Sequence, residues 1–255
     1  KAMKLMFAKL MLKLAYNVEK KVDAALDAAN LVYKEEPTER NKEQVAFIAD
    51  LVDLNNACDN VNTLSKYLHS IGDDRSIINM LDVLPPAITN QRPIIAIRQT
   101  IAPSHKWKDN EICYFANFGE PFLEKWDGKS YKEGIGGSET AVCEMSKQFT
   151  KNGYKVTVYG DPIDKSEIEG VTYLPWYEFN QRDSFNIVIQ WRGWGLAKRI
   201  KCKRFYVDSH DVHGASTFLP DQLEFIDKIF VKSKYHRDLT PTIPDDKFII
   251  CSKGI

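Results

Sequence analysis

Charge of one sign is what this sequence lacks most plainly: Lys plus Arg number 35 and Asp plus Glu number 35 in 255 residues. With no basic excess there is no electrostatic footprint for nucleic acid. Cysteine is sparse: Cys58, Cys113, Cys143, Cys202 and Cys251 are widely spaced and form no CxxC pair. That excludes a disulfide framework and reads as reduced thiols in a cytosolic protein. Long apolar runs are missing too. The Met- and Leu-rich start, Lys1 to Tyr16, is interrupted by Lys4, Lys9 and Lys13, so it has no signal-peptide h-region and reads as an amphipathic helix. Nothing approaches the length of a membrane span. Gly-x-Ser-x-Gly, Walker A and His-Glu-x-x-His motifs are absent. The glycines at 134, 136 and 137 do not complete Gly-x-Gly-x-x-Gly, which weighs against NAD(P).

What is present is a soluble-protein composition, 44% apolar and 27% charged, on a chain long enough for one large domain or two small ones. It changes character near residue 85. Residues 1–86 read as helices: Leu5, Leu12, Ala15, Val22, Ala25 and Ala29 recur near helical spacing, and the stretch ends at Glu35-Glu36-Pro37. Further helical runs are expected over 42–56, 61–71 and 77–83, the last stopped by Pro85-Pro86. The paired helices resemble tetratricopeptide hairpins, with Leu12, Tyr16, Ala25 and Pro37 near the offsets of one repeat. The next repeat matches poorly, and a plain helical bundle is the preferred reading.

Residues 87–110 read as a connector, and 111–255 as alternating strands and helices. Strands are expected at 111–116, 154–159, 171–173, 186–190, 204–208, 228–231 and 248–250. Short apolar strands with helical crossovers predict an α/β domain on a Rossmann-like parallel sheet covered on both faces. Ligands of such sheets lie at the carboxyl ends of the strands.

Three stretches carry candidate chemistry. Gly134-Ile135-Gly136-Gly137-Ser138-Glu139-Thr140 precedes an amphipathic run with Ala141, Val142, Met145 and Phe149 on one face. Glycines permit close backbone approach, and a helix N-terminus aims N–H groups at an anion, most often phosphate. Ser138 is expected as N-cap. Glu139 suits the helix dipole but repels phosphate slightly, and is an alternative acceptor for a substrate hydroxyl. A packing turn explains the glycines equally well.

The second stretch is Asp208-Ser209-His210-Asp211-Val212-His213. Two histidines and two carboxylates invite a metal reading, but His105 and His236 lie in unrelated contexts and no third ligand is evident. His213 reads as a loop cap and His210 as a strand-end hydrogen-bonding group. The third, Gln190-Trp191-Arg192-Gly193-Trp194-Gly195, sets one cation between two indoles. Arg192 is either a bidentate anion ligand or a surface cation stacked on tryptophan.

Taken in order, these stretches resemble the amino-terminal half of a GT-B glycosyltransferase, close to the retaining family four. The resemblance covers roughly 111–255. It rests on Glu133-Gly134-Ile135-Gly136-Gly137-Ser138-Glu139, Gly153-Tyr154-Lys155-Val156-Thr157-Val158, Ser209-His210-Asp211 and Ile229-Phe230-Val231-Lys232-Ser233-Lys234-Tyr235. Cys251-Ser252-Lys253-Gly254-Ile255 is similar to the segment where that family leaves its first domain.

The resemblance implies that Gly136 and Gly137, with Ser138 and Glu139, meet the diphosphate or sugar of a nucleotide-sugar donor, and that His210 contacts the transferred sugar at the reaction centre. It implies no metal and no further cofactor. Arg192 has no firm counterpart in the family and is assigned to the donor on chemistry alone. An acceptor (sugar, lipid or protein) is expected on the loop 120–133, with Trp126, Tyr131 and Asp211.

The family's second domain, with its nucleotide pocket, has no counterpart here. The chain is therefore expected to be a fragment, an acceptor-side half that binds donor weakly and transfers nothing alone. A scaffold module with a partner-docking helical region, and a metal-dependent hydrolase centred on His210 and His213, are the competing expectations.

Overall fold

The computed structural model describes residues 5, 8, 9, 22–116, 124–130, 133–211 and 220–251. Leu12, Tyr16, Tyr131, His213, Lys253 and Gly254 fall outside them. The chain divides into two compact units, Lys1–Ile101 and Ala102–Ile255. Among the described residues, no helix is long and apolar enough to cross a membrane.

The first unit is helical: α1 (Val22–Glu35), α2 (Glu39–Ser70), α3 (Asp74–Val83), α4 (Pro86–Thr89) and α5 (Arg92–Ile101). Helices thus continue through much of the stretch read as a connector. Local chemistry marks their starts. Thr38 Oγ1 caps α2 by accepting from Asn41 N–H at 3.2 Å, and Asp73 caps α3 by accepting from Ser76 N–H at 3.2 Å.

The expected break between residues 56 and 61 does not occur; α2 is one helix of 32 residues. Residues 57–60 contain neither Gly nor Pro, so nothing stops the backbone. The apolar pattern alters there because the two halves of α2 bury different faces. Val45 and Ile48 pack on Ala25, Ala28 and Ala29 of α1, whereas Cys58 and Val61 pack on Ile77, Leu81 and Ile94 of α3 and α5. At 3.6 residues per turn these two sets point to roughly opposite sides of one helix.

The second unit is α/β. Its strands are β1 (Glu111–Phe115), β2 (Lys155–Gly160), β3 (Ser166–Ile168), β4 (Val171–Pro175), β5 (Ser184–Trp191), β6 (Lys201–Asp208), β7 (Lys228–Val231) and β8 (Phe248–Ile250). They form one eight-stranded sheet in the order β3-β4-β2-β1-β5-β6-β7-β8, parallel except for β3. This is the mostly parallel, Rossmann-like α/β architecture expected. The β3–β4 hairpin was not expected, being three residues long.

Among the described residues, the β1–β2 connection alone carries a crossover helix longer than five residues. Between β1 and β2 runs α6 (Gly137–Lys151). From β4 to β5 the chain uses a 3-10 turn, Trp176–Glu178, and α7 (Pro220–Leu223) and α8 (Lys234–Asp238) are single turns. On one face α6 lays Val142 and Cys143 over Ile112, Tyr114, Val156, Val158, Ile189 and Trp191. The opposite face buries Phe115, Val188, Phe205, Val207, Ile229 and Val231 beneath Leu196, Ile226 and Ile243. Over β2 and β4 that second face carries a groove of about 630 Å³, lined by Trp107, Thr157, Tyr159, Thr172 and Leu174 among others. Coverage is therefore uneven across the sheet.

The helix ends as its sequence dictates. Gly153 sits at φ +87°, the left-handed region. Its N–H bonds Thr150 O at 3.0 Å, Tyr154 N–H bonds Phe149 O at 3.1 Å, and the Phe149 and Tyr154 rings meet edge-on at 6.4 Å. This is a Schellman stop with its hydrophobic contact. Gly153→Ala is expected to cost about 1 kcal/mol, read as a lowered urea midpoint with unchanged slope. No loss of stability would mean that the left-handed conformation is not required there.

Candidate functional site

Seven of the eight strands are parallel, so their carboxyl ends share one edge, and register aligns them. Trp191 ends opposite Asp208, and Asp208 opposite Phe230. The chain leaves β5 through Arg192, β6 through Ser209-His210 and β7 through Lys232. All three candidate stretches gather at this edge, with the N-terminus of α6.

Asp208 is the centre. It is 0% exposed, yet charged groups surround it. Lys232 Nζ donates to its Oδ1 at 2.6 Å and His210 Nε2 lies 2.8 Å from its Oδ2. The Tyr114 hydroxyl also donates to Oδ2. Burial alone would raise the Asp208 carboxyl; the hydrogen bond and charge of His210, with Lys232, reverse this and hold it at about 2. Burial, reinforced by Asp208, pushes the Tyr114 hydroxyl far up, so it remains a donor. The His210 side chain is 4% exposed, its ring edge-on to Trp191 at 6.0 Å.

Arg192 links this centre to the glycine loop. It adopts φ +53°, a left-handed conformation that costs a non-glycine residue about 1 kcal/mol, and its N–H bonds Asp208 O at 3.0 Å. Its guanidinium stacks on Trp191 at 4.2 Å. This is the stacked alternative for the residue, and Nη2 also donates to Ser138 Oγ at 2.9 Å. Glu139 lies 3.9 Å from Nη1 and Asp211 3.3 Å from Nε. The Asp211 approach is an ion pair by distance only. Its angle makes no hydrogen bond, and Nε is buried without an acceptor.

The glycine loop differs from expectation in one respect. The N-cap of α6 is Gly136, without a side-chain bond, and Ser138 lies inside the first turn. Its hydroxyl donates to Glu139 Oε2 at 2.8 Å, so it is committed to the carboxylate rather than to the backbone. Glu139 folds back over the loop so closely that a Cβ on Gly136 would run into its Oε2, whereas a Cβ on Gly137 meets open space. The site's own carboxylate thus occupies the position where an anion would approach.

Trp126, expected to meet an acceptor on the loop 120–133, is instead a core side chain. It is 4% exposed and meets Trp191 edge-on at 6.2 Å. The indole N–H groups of Trp126 and Trp191 are buried without acceptors. Asp211 is exposed beside Arg192, and Tyr131 lies outside the described residues.

Two contributors escaped the sequence reading. Tyr114 sits inside an apolar strand 94 residues from Asp208; a lone phenol among Ile112, Cys113 and Phe115 was its only signal. His236, set apart as unrelated, approaches Ser209 Oγ at 3.4 Å. Lys232 was visible as a cation directly after an apolar strand, without a role. Among the described residues, no three His, Cys, Asp or Glu side chains converge as a metal site, and His213 lies outside them. Burial pushes the Cys143 and Cys202 thiols up to about 11, so neither is a nucleophile at neutral pH.

Fold and site together define an α/β protein whose polar and charged side chains collect at the carboxyl edge of a mostly parallel sheet. A scan of protein-family models finds no match to this chain, and a search of curated proteins finds no relative.

Proposed function

We propose that this chain is the acceptor-side half of a retaining GT-B-like glycosyltransferase, contributing one wall of a cleft that receives a nucleotide-sugar donor. One observation carries the reading: Arg192 joins the N-terminus of α6, through Ser138 and Glu139, to Asp211 beyond β6, next to His210. A cation held between carboxylates at a helix N-terminus is a site where a diphosphate displaces a side-chain anion and gains paired donors. Transfer of a glycosyl group develops charge on the leaving diphosphate, which preorganised donors of this kind stabilise. His210 would lie against the transferred sugar, and Gly137, where a Cβ would meet open space, would let the donor approach the protein backbone closely. Acceptor and sugar identity belong to surfaces beyond this edge.

The test is a titration of the 255-residue chain with UDP-, GDP- and ADP-sugars, followed by amide NMR. The expected result is weak binding by at least one donor, shifting Gly136, Gly137 and His210 together. Arg192→Ala is expected to weaken it about tenfold, the loss of a charge-assisted hydrogen bond. Donors that leave all three amides unmoved would sink the reading. So would binding that Arg192→Ala does not weaken.

A further inference from the structure

The helical unit has a groove of its own, about 380 Å³, lined by α2 and α5 together with Ile77 of α3. That volume lies in the range of small-molecule sites, about 300–1,000 Å³. Its two long walls differ in chemistry. Asn62, Ser65, Lys66 and His69 recur on α2 at i, i+3, i+4 and i+7, so they share one face. The α5 wall carries Ala96, Ile97 and Ile101 at similar spacing. Ile97 and Ile101 continue the apolar cluster that buries Ile77, Leu81 and Ile94. One groove is thus polar along α2 and mainly apolar along α5.

The polar wall holds an unsatisfied group. Ser65 is 3% exposed, and its hydroxyl has no hydrogen-bond partner. A buried unpaired hydroxyl destabilises the fold, and alanine would fill the same helical position without that loss. Lys66 follows at once and is exposed, and Asn62 lies one turn before it. No Asp or Glu is among the described residues lining the groove. The carboxylate of Asp74 is engaged by His69, 2.6 Å from its Nδ1.

We propose that this groove binds a small amphipathic carboxylate, its apolar body against α5 and its acid group against α2. The carboxylate gives Ser65 the acceptor it lacks, meets Lys66 as counter-ion and takes the Asn62 amide as a further donor. An apolar molecule without the acid would leave Ser65 and Lys66 without a partner. A wholly hydrophilic acid would gain nothing from Ile97 and Ile101. The site is built within the helical unit alone and stands apart from glycosyl transfer.

The experiment titrates the whole 255-residue chain with decanoate and, separately, with decanol, followed by amide NMR. Decanoate is expected to bind saturably and to move the Ser65, Lys66, Ala96 and Ile97 amides together. Lys66→Gln, at an exposed position, is expected to weaken decanoate about fivefold, the worth of a surface ion pair, and to leave decanol unchanged. Ser65→Ala is expected to move two readouts in opposite senses. Decanoate binding weakens, while urea unfolding of the ligand-free helices, followed by circular dichroism, shifts to a higher midpoint. Decanoate that leaves the four amides unmoved overturns the proposal. So does a Lys66→Gln chain that binds decanoate as well as wild type, or that loses decanol equally. A Ser65→Ala chain with a lowered midpoint, or with unchanged decanoate affinity, overturns it as well.

Discussion

Asp208→Ala is expected to lower the unfolding free energy of the sheet unit by about 3–5 kcal/mol, the scale on which breaking a buried ion pair from one side destabilises a protein. The reason lies in what remains. Lys232, His210 and Tyr114 keep their donors aimed at the vacated space; the buried His210 and Tyr114 groups lose an acceptor there, and Lys232, 22% exposed, loses its ion-pair partner. Removing Tyr114's hydroxyl instead leaves the carboxylate with two donors, so Tyr114→Phe belongs to the smaller class of about 1 kcal/mol. Urea unfolding followed by tryptophan fluorescence reports this unit alone, because all five tryptophans lie between Trp107 and Trp194. A loss for Asp208→Ala below about 1 kcal/mol would mean that the cluster behaves like a solvated surface pair.

Acid should remove the same contribution without mutation. The Asp208 carboxyl is lowered from 3.8 to about 2 on folding. A depressed carboxyl stabilises the fold fully above its unfolded value and loses that contribution as pH falls through its folded value. The window is therefore from about pH 4 down to about pH 2, and the loss is about 2 kcal/mol. The Asp109 carboxyl is also lowered, by its hydrogen bond and charge pairing with Lys203, but that pair is exposed and weakens with salt. Stability measured against pH at raised salt, in wild type and Asp208→Asn, isolates the buried group. The wild-type acid limb is expected to be steeper than that of the variant; parallel curves would show that Asp208 is not held ionised by the fold.

Much of the sheet was legible because strand signals are local. The apolar runs ending at Trp191, Asp208 and Val231 declare both their length and their polar exits, and parallel pairing then obliges those exits to share an edge. The glycine loop and its helix were legible for the same reason. Ser138 was misjudged because a serine behind two glycines satisfies the N-cap pattern, while Arg192, 54 residues away, claims its hydroxyl. Tyr114 was hidden by its surroundings: within an apolar strand a phenol reads as core until its partner on another strand is known. Trp126 read as a loop side chain because the residues around it are polar, although its ring fills space beneath Trp191. The α2 helix was divided in the reading because periodicity alone assumes one buried face per helix.

That undivided helix has a mechanical consequence. A helix of 32 residues is about 48 Å long, and it serves as the common spar of two small cores that share no buried side chain. Among the described residues, the element common to both cores is the spar itself. The helical unit is a beam loaded on opposite sides at its two ends, and the turn or so between Ile48 and Leu54 joins the two loads.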